Sequence, residues 1–184
     1  MKVWQCLGLA VGLGAIASGC SGTVAIPQDQ GSVTESMASQ NLATATVVSV
    51  GDGDTLQMDY QGQNVTVRLA CIDTPETTQT PWGPAATERL RQLTPRGSTI
   101  QFREADTDRY GRMVAEIYAG SQNINLKLVS EGYAAVYTQY LSSCPDTDDA
   151  LLAAEAQAQQ QRLNFWNQSN PVMPWDYRRS NRSN

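Results

Sequence analysis

Thr55-Leu56-Gln57-Met58-Asp59-Tyr60, then Gln61-Gly62-Gln63, then Val65-Thr66-Val67-Arg68-Leu69-Ala70-Cys71-Ile72 is the stretch on which the fold turns. Apolar and polar residues alternate on both sides of a glycine-centred turn, and a period of two is the mark of half-buried strands joined as a hairpin. Upstream, Ala45 to Val50 is β-branched and apolar and ends at Gly51-Asp52-Gly53, a second turn signal. Three antiparallel strands in meander order follow.

Downstream, Pro84 to Leu93 carries Ala85, Ala86, Leu90 and Leu93 at helical spacing, with proline early and Pro95-Arg96-Gly97 as a stop. Ser98 to Glu104 and Arg112 to Tyr118 read as two more strands joined by a polar loop from Ala105 to Gly111. Two helices come after them: Asn123 to Glu131, stopped by Gly132, and Asp146 to about Leu163, with Asp148 and Asp149 suited to its positive end. Five strands with a helix inserted after the third predict a closed barrel of the OB type with about three helices, mainly β with α. Such barrels commonly bind oligonucleotides.

The chain opens Met1-Lys2-Val3-Trp4, continues with an apolar run from Cys6 to Ala17, and reaches Ser18-Gly19-Cys20. A positive start, a short apolar run and small residues at its end predict a secretory signal over residues 1–19 rather than a membrane helix. Cys20 after Ala17-Ser18-Gly19 resembles the lipobox of bacterial lipoproteins, which implies lipidation of that cysteine and attachment to a membrane; the alternative is simple cleavage and release as a periplasmic or extracellular protein. Residues 20–42 are rich in Ser, Thr, Gln and Gly and have no period, so they are expected to be a flexible linker. The folded domain is expected over residues 43–168, a size that suits one domain acting as a monomer. Residues 169–184 form a basic tail with Trp175, Arg178, Arg179 and Arg182, which either extends freely or packs Trp175 on the barrel.

Thirteen Lys and Arg stand against 18 Asp and Glu. Removal of the leader takes Lys2 away and leaves Lys127 as the only lysine. Non-specific grip on nucleic acid comes mostly from basic residues, so an acidic chain of this kind must rely on a local arginine-lined cleft. With Cys6 lost and Cys20 lipidated, Cys71 and Cys144 are the remaining pair, and an exported domain gives them an oxidising setting for a disulfide. The alternative is two unrelated small residues, with Cys71 a core strand position.

Chemistry concentrates in two segments. The first holds Asp52-Gly53-Asp54-Thr55 followed by Arg68-Leu69-Ala70-Cys71-Ile72-Asp73-Thr74-Pro75-Glu76; the second is Thr107-Asp108-Arg109-Tyr110-Gly111-Arg112. The chain has no histidine. Carboxylates beside guanidinium groups then point to a hard, oxygen-liganded cation and an anionic substrate, and away from a histidine-bound zinc or a Ser-His-Asp triad.

Asp-Gly-Asp-Thr, Arg-Leu-x-x-Ile-Asp-Thr-Pro-Glu and Asp-Arg-Tyr-Gly-Arg, in this order and spacing, resemble the staphylococcal nuclease (thermonuclease) family. The likeness runs from about Ala43 to Trp166. It implies an OB-fold barrel, one Ca²⁺, and hydrolysis of DNA and RNA phosphodiesters with little sequence preference. It further implies that Asp54, Asp73 and the carbonyl of Thr74 hold the ion, that Arg68 and Arg112 bind phosphate, and that Glu76 is the catalytic glutamate. Tyr110, Tyr137 and Tyr140 are the aromatic positions near the implied nucleotide cleft, while Tyr133 is assigned to packing and Asp52 to the surroundings of the metal site.

Each residue alone has a plainer reading. Asp52-Gly53-Asp54 is more often a hairpin turn, Asp73-Thr74-Pro75-Glu76 a cap, Arg68 with Glu76 a surface ion pair, and Arg112 the flank of a β-turn. A non-catalytic OB module that binds single strands, or a structural envelope lipoprotein, would use the same barrel. Neither has a use for clustered carboxylates, which repel phosphate unless a cation intervenes.

Overall fold

The computed structural model describes residues 42–182. The expected signal, the lipidation site Cys20 and the linker up to Asn41 lie outside those residues. Eight strands are present among the described residues: β1 (Ala43–Val50), β2 (Thr55–Tyr60), β3 (Gln63–Leu69), β4 (Ile72–Asp73), β5 (Thr99–Thr107), β6 (Met113–Ala119), β7 (Gln122–Asn123) and β8 (Ala135–Val136). The helices are α1 (Trp82–Leu93), α2 (Ile124–Ser130), α3 (Asp148–Gln160) and α4 (Pro174–Asn181).

Strands β3, β2, β1, β5 and β6 lie side by side in that order, and a parallel pairing of β3 with β6 joins the two edges into a five-stranded barrel. Closure removes the unpaired edges that an open sheet of this size would expose. The inward set of each strand is apolar: Leu56, Met58, Val67, Ile100 and Ile117 have no exposure. Asn125 on α2 is equally buried and spans a gap in the ladder, accepting from Ile117 N at 3.0 Å and donating to Ala70 O at 2.9 Å.

Several expected boundaries move, α3 for one running Asp148–Gln160 rather than Asp146 to about Leu163, and three of the shifts have a local reason. The strand read from Val65 to Ile72 stops at Leu69, because Cys71 takes a left-handed φ of 64° and turns Ile72-Asp73 out of the barrel to pair with β8. The loop read from Ala105 to Gly111 is shorter, since β5 continues to Thr107 through a bulge between Glu104 and Asp106 that breaks the alternation. Helix α1 starts at Trp82, ahead of Pro84, which fits because the first turn leaves backbone N–H groups unbonded anyway.

The sulfurs of Cys71 and Cys144 are bonded, with Cα atoms 6.4 Å apart. That bridge fixes the start of β4 against the chain leading to α3. Beyond Trp166 the chain folds back, and α4 places Trp175 on Tyr137 with ring centroids 5.2 Å apart and planes 6° from parallel. Among the described residues no helix is long and apolar enough to cross a membrane.

Candidate active site

Strand β3 delivers Arg68 and the reversal after it delivers Asp73, so residues five apart meet: Arg68 Nη2 lies 2.7 Å from Asp73 Oδ1. The other terminal nitrogen of Arg68 pairs with Asp54 Oδ1 at the turn between β1 and β2. Asp54 and Asp73 are 3 % and 0 % exposed, so neither carboxylate is hydrated from bulk water. Burial of this kind is tolerated only with a full set of partners. Asp54 Oδ2 accepts from Thr74 N and Thr74 Oγ1, both at 2.9 Å, which ties the first acidic segment to the second.

Gly53 makes that tie possible. A Cβ there would stand 2.5 Å from Thr74 Oγ1 and 2.9 Å from Ala86 Cβ, closer than real side chains approach. Gly83 on α1 serves the loop in the same way, since its missing side chain makes room for the carbonyl of Glu76. Glu76 is held by Gln79, whose side-chain oxygen accepts from Glu76 N at 2.9 Å while the Gln79 backbone N–H donates to Glu76 O at 2.7 Å. Asp52 Oδ1 accepts from Asp54 N at 3.2 Å, so it shapes the turn that carries Asp54.

The surface ion pair of Arg68 with Glu76 weighed from the sequence is not what forms: Arg68 serves Asp54 and Asp73, and Glu76 is served by Arg178 of α4. Arg178 also grips Asp73 with both ends of its fork, at 3.0 and 2.6 Å. Burial opposes its charge, but the hydrogen bonds to Asp73 and Glu76 outweigh that and raise its pKa above the ordinary arginine value.

Arg112 stands apart from this group. It precedes β6, whose Met113 lies beside Val67 of β3, so its backbone enters the barrel next to the strand of Arg68. Its guanidinium is held at 2.7 Å by Asp108, which also accepts from the backbone N–H of Tyr110 and Arg112. Burial works to raise the Asp108 pKa and these bonds overcome it, leaving the carboxyl below its usual range. Among the described residues no hydrogen bond or ion pair joins Arg112 to Asp54, Asp73 or Glu76.

Tyr110 is 65 % exposed, with the guanidinium carbons of Arg109 and Arg112 at 5.0 and 5.7 Å from its ring centre. Tyr140 is 52 % exposed and meets Tyr137 edge-on, whereas the face of Tyr137 is covered by Trp175. Tyr133 packs against the core, in keeping with a structural role.

Among the described residues no group of three or more His, Cys, Asp or Glu side chains converges to hold a metal ion. The donor chemistry nevertheless suits a hard dication, since two buried aspartates and the backbone carbonyl of Thr74 offer oxygen only. Asp54, Asp73 and Glu76 carry three negative charges against the two positive charges of Arg68 and Arg178, so the cluster keeps one negative charge as it stands.

Sequence reasoning missed Gln79, Gly83 and Arg178. Only the last had a legible signal: Pro174 at a helix start, with Arg178 and Arg179 in its last turn.

Residues 66–168 match the family described as staphylococcal nuclease homologue. The micrococcal nuclease of Shigella flexneri is 38% identical over 146 residues, covering 74% of this chain and 81% of that protein. An uncharacterized endonuclease of Escherichia coli O157:H7 is 37% identical over 133 residues, covering 72% and 82%. Another from Haemophilus influenzae is 35% identical over 150 residues, covering 81% and 80%.

Proposed function

We propose, from the premise that this chain belongs to the staphylococcal nuclease family, that it is a calcium-dependent nuclease cleaving phosphodiester bonds of DNA and RNA with little sequence preference. Its nuclease relatives support the broad activity, hydrolysis of nucleic acid. What supports the finer reading is one observation: Arg68 gathers two buried aspartates on a single guanidinium.

Asp54, Asp73 and the Thr74 carbonyl would hold the ion. When bound, calcium supplies charge that polarises a phosphoryl oxygen and favours deprotonation of water. Arg68 and Arg112 then act on the phosphate itself. A planar fork matches two phosphate oxygens at once and stabilises the charge that builds on them as the attacking oxygen arrives. Glu76, on its Gln79-braced loop at the edge of the cluster, takes the proton of the attacking water. The exposed rings of Tyr110 and Tyr140 offer flat faces to bases, and contact through backbone and stacking explains why sequence would matter little.

Digestion of denatured DNA and of RNA tests the proposal, run with Ca²⁺, with EGTA, and with Glu76→Gln. Cleavage that stops on chelation and falls by at least about 100-fold in the variant fits the roles given. Cleavage indifferent to chelation would remove calcium from the account, and a loss of only a few-fold would demote Glu76 to holding a water network.

We further propose that the protein is exported and tethered through a lipid on Cys20. Mass spectrometry of the mature amino terminus decides it, since an unmodified chain beginning near Ser21 or later excludes the lipid.

A further inference from the structure

The site contains a cation of its own. Both carboxylate oxygens of Asp73 and one of Glu76 are occupied by Arg178, at distances of 2.6 to 3.0 Å. That residue comes from α4, which lies beyond the family match ending at Gln168. Two more contacts dock the same segment: Trp175 lies flat on Tyr137, and the Val172 carbonyl accepts from Gln79 Nε2 at 3.0 Å. Gln79 is the residue that braces Glu76.

We propose that α4 is a displaceable plug, in which Arg178 holds Asp73 and Glu76 until a divalent cation takes its place. The inference rests on the calcium reading above. Its logic is competition for one set of oxygens. Arg178 on both oxygens of Asp73, with Arg68 also on Oδ1, takes most of that carboxylate's lone pairs, and a further cation there would be repelled by both guanidinium groups. Trp175 reinforces the block, because its parallel stacking on Tyr137 takes the face on which a nucleobase would stack.

The segment is built to leave. Eight residues make too short a helix to persist in isolation, and Met173 provides no side-chain cap. Pro174 is its one buried residue, and Met173 and Trp175 pack only at the edge of a small apolar cluster formed by Ala135, Ala158, Phe165 and Trp166, so the helix is held by that contact together with the arginine fork, the ring stack and one hydrogen bond. Such elements open at low free energy. While α4 is docked, the apparent calcium affinity is lowered by the fraction of molecules that are open.

Calorimetric titration of the mature chain with calcium chloride, alongside Arg178→Ala and Trp175→Ala, measures the competition. Hydrogen exchange over residues 174–181, with and without saturating calcium, measures release. The expected result is roughly tenfold tighter calcium binding by Arg178→Ala, a smaller gain for Trp175→Ala, and faster exchange of α4 in the wild-type protein once calcium is added. Equal affinities with α4 exchange unchanged by calcium would overturn the plug while leaving the calcium site intact. Weaker binding by Arg178→Ala would also overturn it, by making Arg178 a supporter of the metal site. No heat of calcium binding from any variant would overturn both this inference and the calcium reading.

Discussion

Arg68 and Asp73, five positions apart, are joined at 2.7 Å because the chain leaves the barrel after Leu69 and reverses through a left-handed Cys71. The same guanidinium reaches Asp54 across the neighbouring strand. A single planar side chain therefore sets the spacing between the two aspartates.

Replacement of Arg68 by Lys tests that geometry. Charge is kept, but a point ammonium has no fork with which to span two carboxylates or two phosphate oxygens. We expect kcat/KM to fall on the order of 100-fold with the fold retained, measured by steady-state cleavage and by circular dichroism. Near-normal turnover would argue that Arg68 acts through charge alone.

Gly53→Ala tests the packing beneath the site. The added methyl would meet Thr74 Oγ1 at 2.5 Å and the Ala86 side chain at 2.9 Å, and Thr74 is what fixes Asp54 Oδ2. We expect a loss of about 2 kcal/mol in unfolding free energy from overpacking, with a larger proportional loss of activity than the stability change explains. Urea melts and cleavage rates on the same preparation separate the two; an unaffected rate would show that Asp54 tolerates the shift.

The barrel was legible because β2 and β3 alternate cleanly around Gln61-Gly62, and the closing strand β6 does so in part. What escaped was whatever lacks a period. The bulge at Glu104 to Asp106 hides the end of β5, and β4 and β8 are two-residue strands that only tertiary pairing defines. In the candidate site, Asp54, Arg68 and Asp73 were visible as acid and arginine clusters, and they do meet. Arg178 was not placed there, because it lies 105 positions from Asp73 and no local pattern reports so distant a contact. Gly83 was hidden for the opposite reason: its contribution is the absence of a side chain against Glu76.

Removal of the disulfide by Cys144→Ala probes how far the site depends on a distant clamp. The bridge closes a loop with a separation of 73 residues, for which restriction of the unfolded chain is worth about 4 kcal/mol. Cys71 also precedes β4, so the variant loosens the strand that carries Asp73. The expected outcome is a lower melting temperature with weaker calcium binding, read by calorimetry. Thiol counting on the denatured wild-type protein checks the premise, since two free thiols from Cys71 and Cys144 would mean that no bridge forms.

Asp108→Asn asks whether the turn before β6 merely closes a loop or aims Arg112. The amide oxygen can still accept from Tyr110 N and Arg112 N, but the charge opposite the Arg112 guanidinium is gone. Because the folded-state pKa of Asp108 is depressed, its contribution is present above the ordinary aspartate value of about 3.9 and is lost as the pH falls through the lower folded value. At neutral pH the variant should therefore be less stable by about 1 kcal/mol, and the difference should vanish in strong acid. A freed Arg112 would also bind phosphate less well, so KM should rise several-fold while kcat changes less. A stability loss that persists unchanged at low pH would assign the effect to loop packing, and an unchanged KM would mean that Arg112 finds its position without help from Asp108.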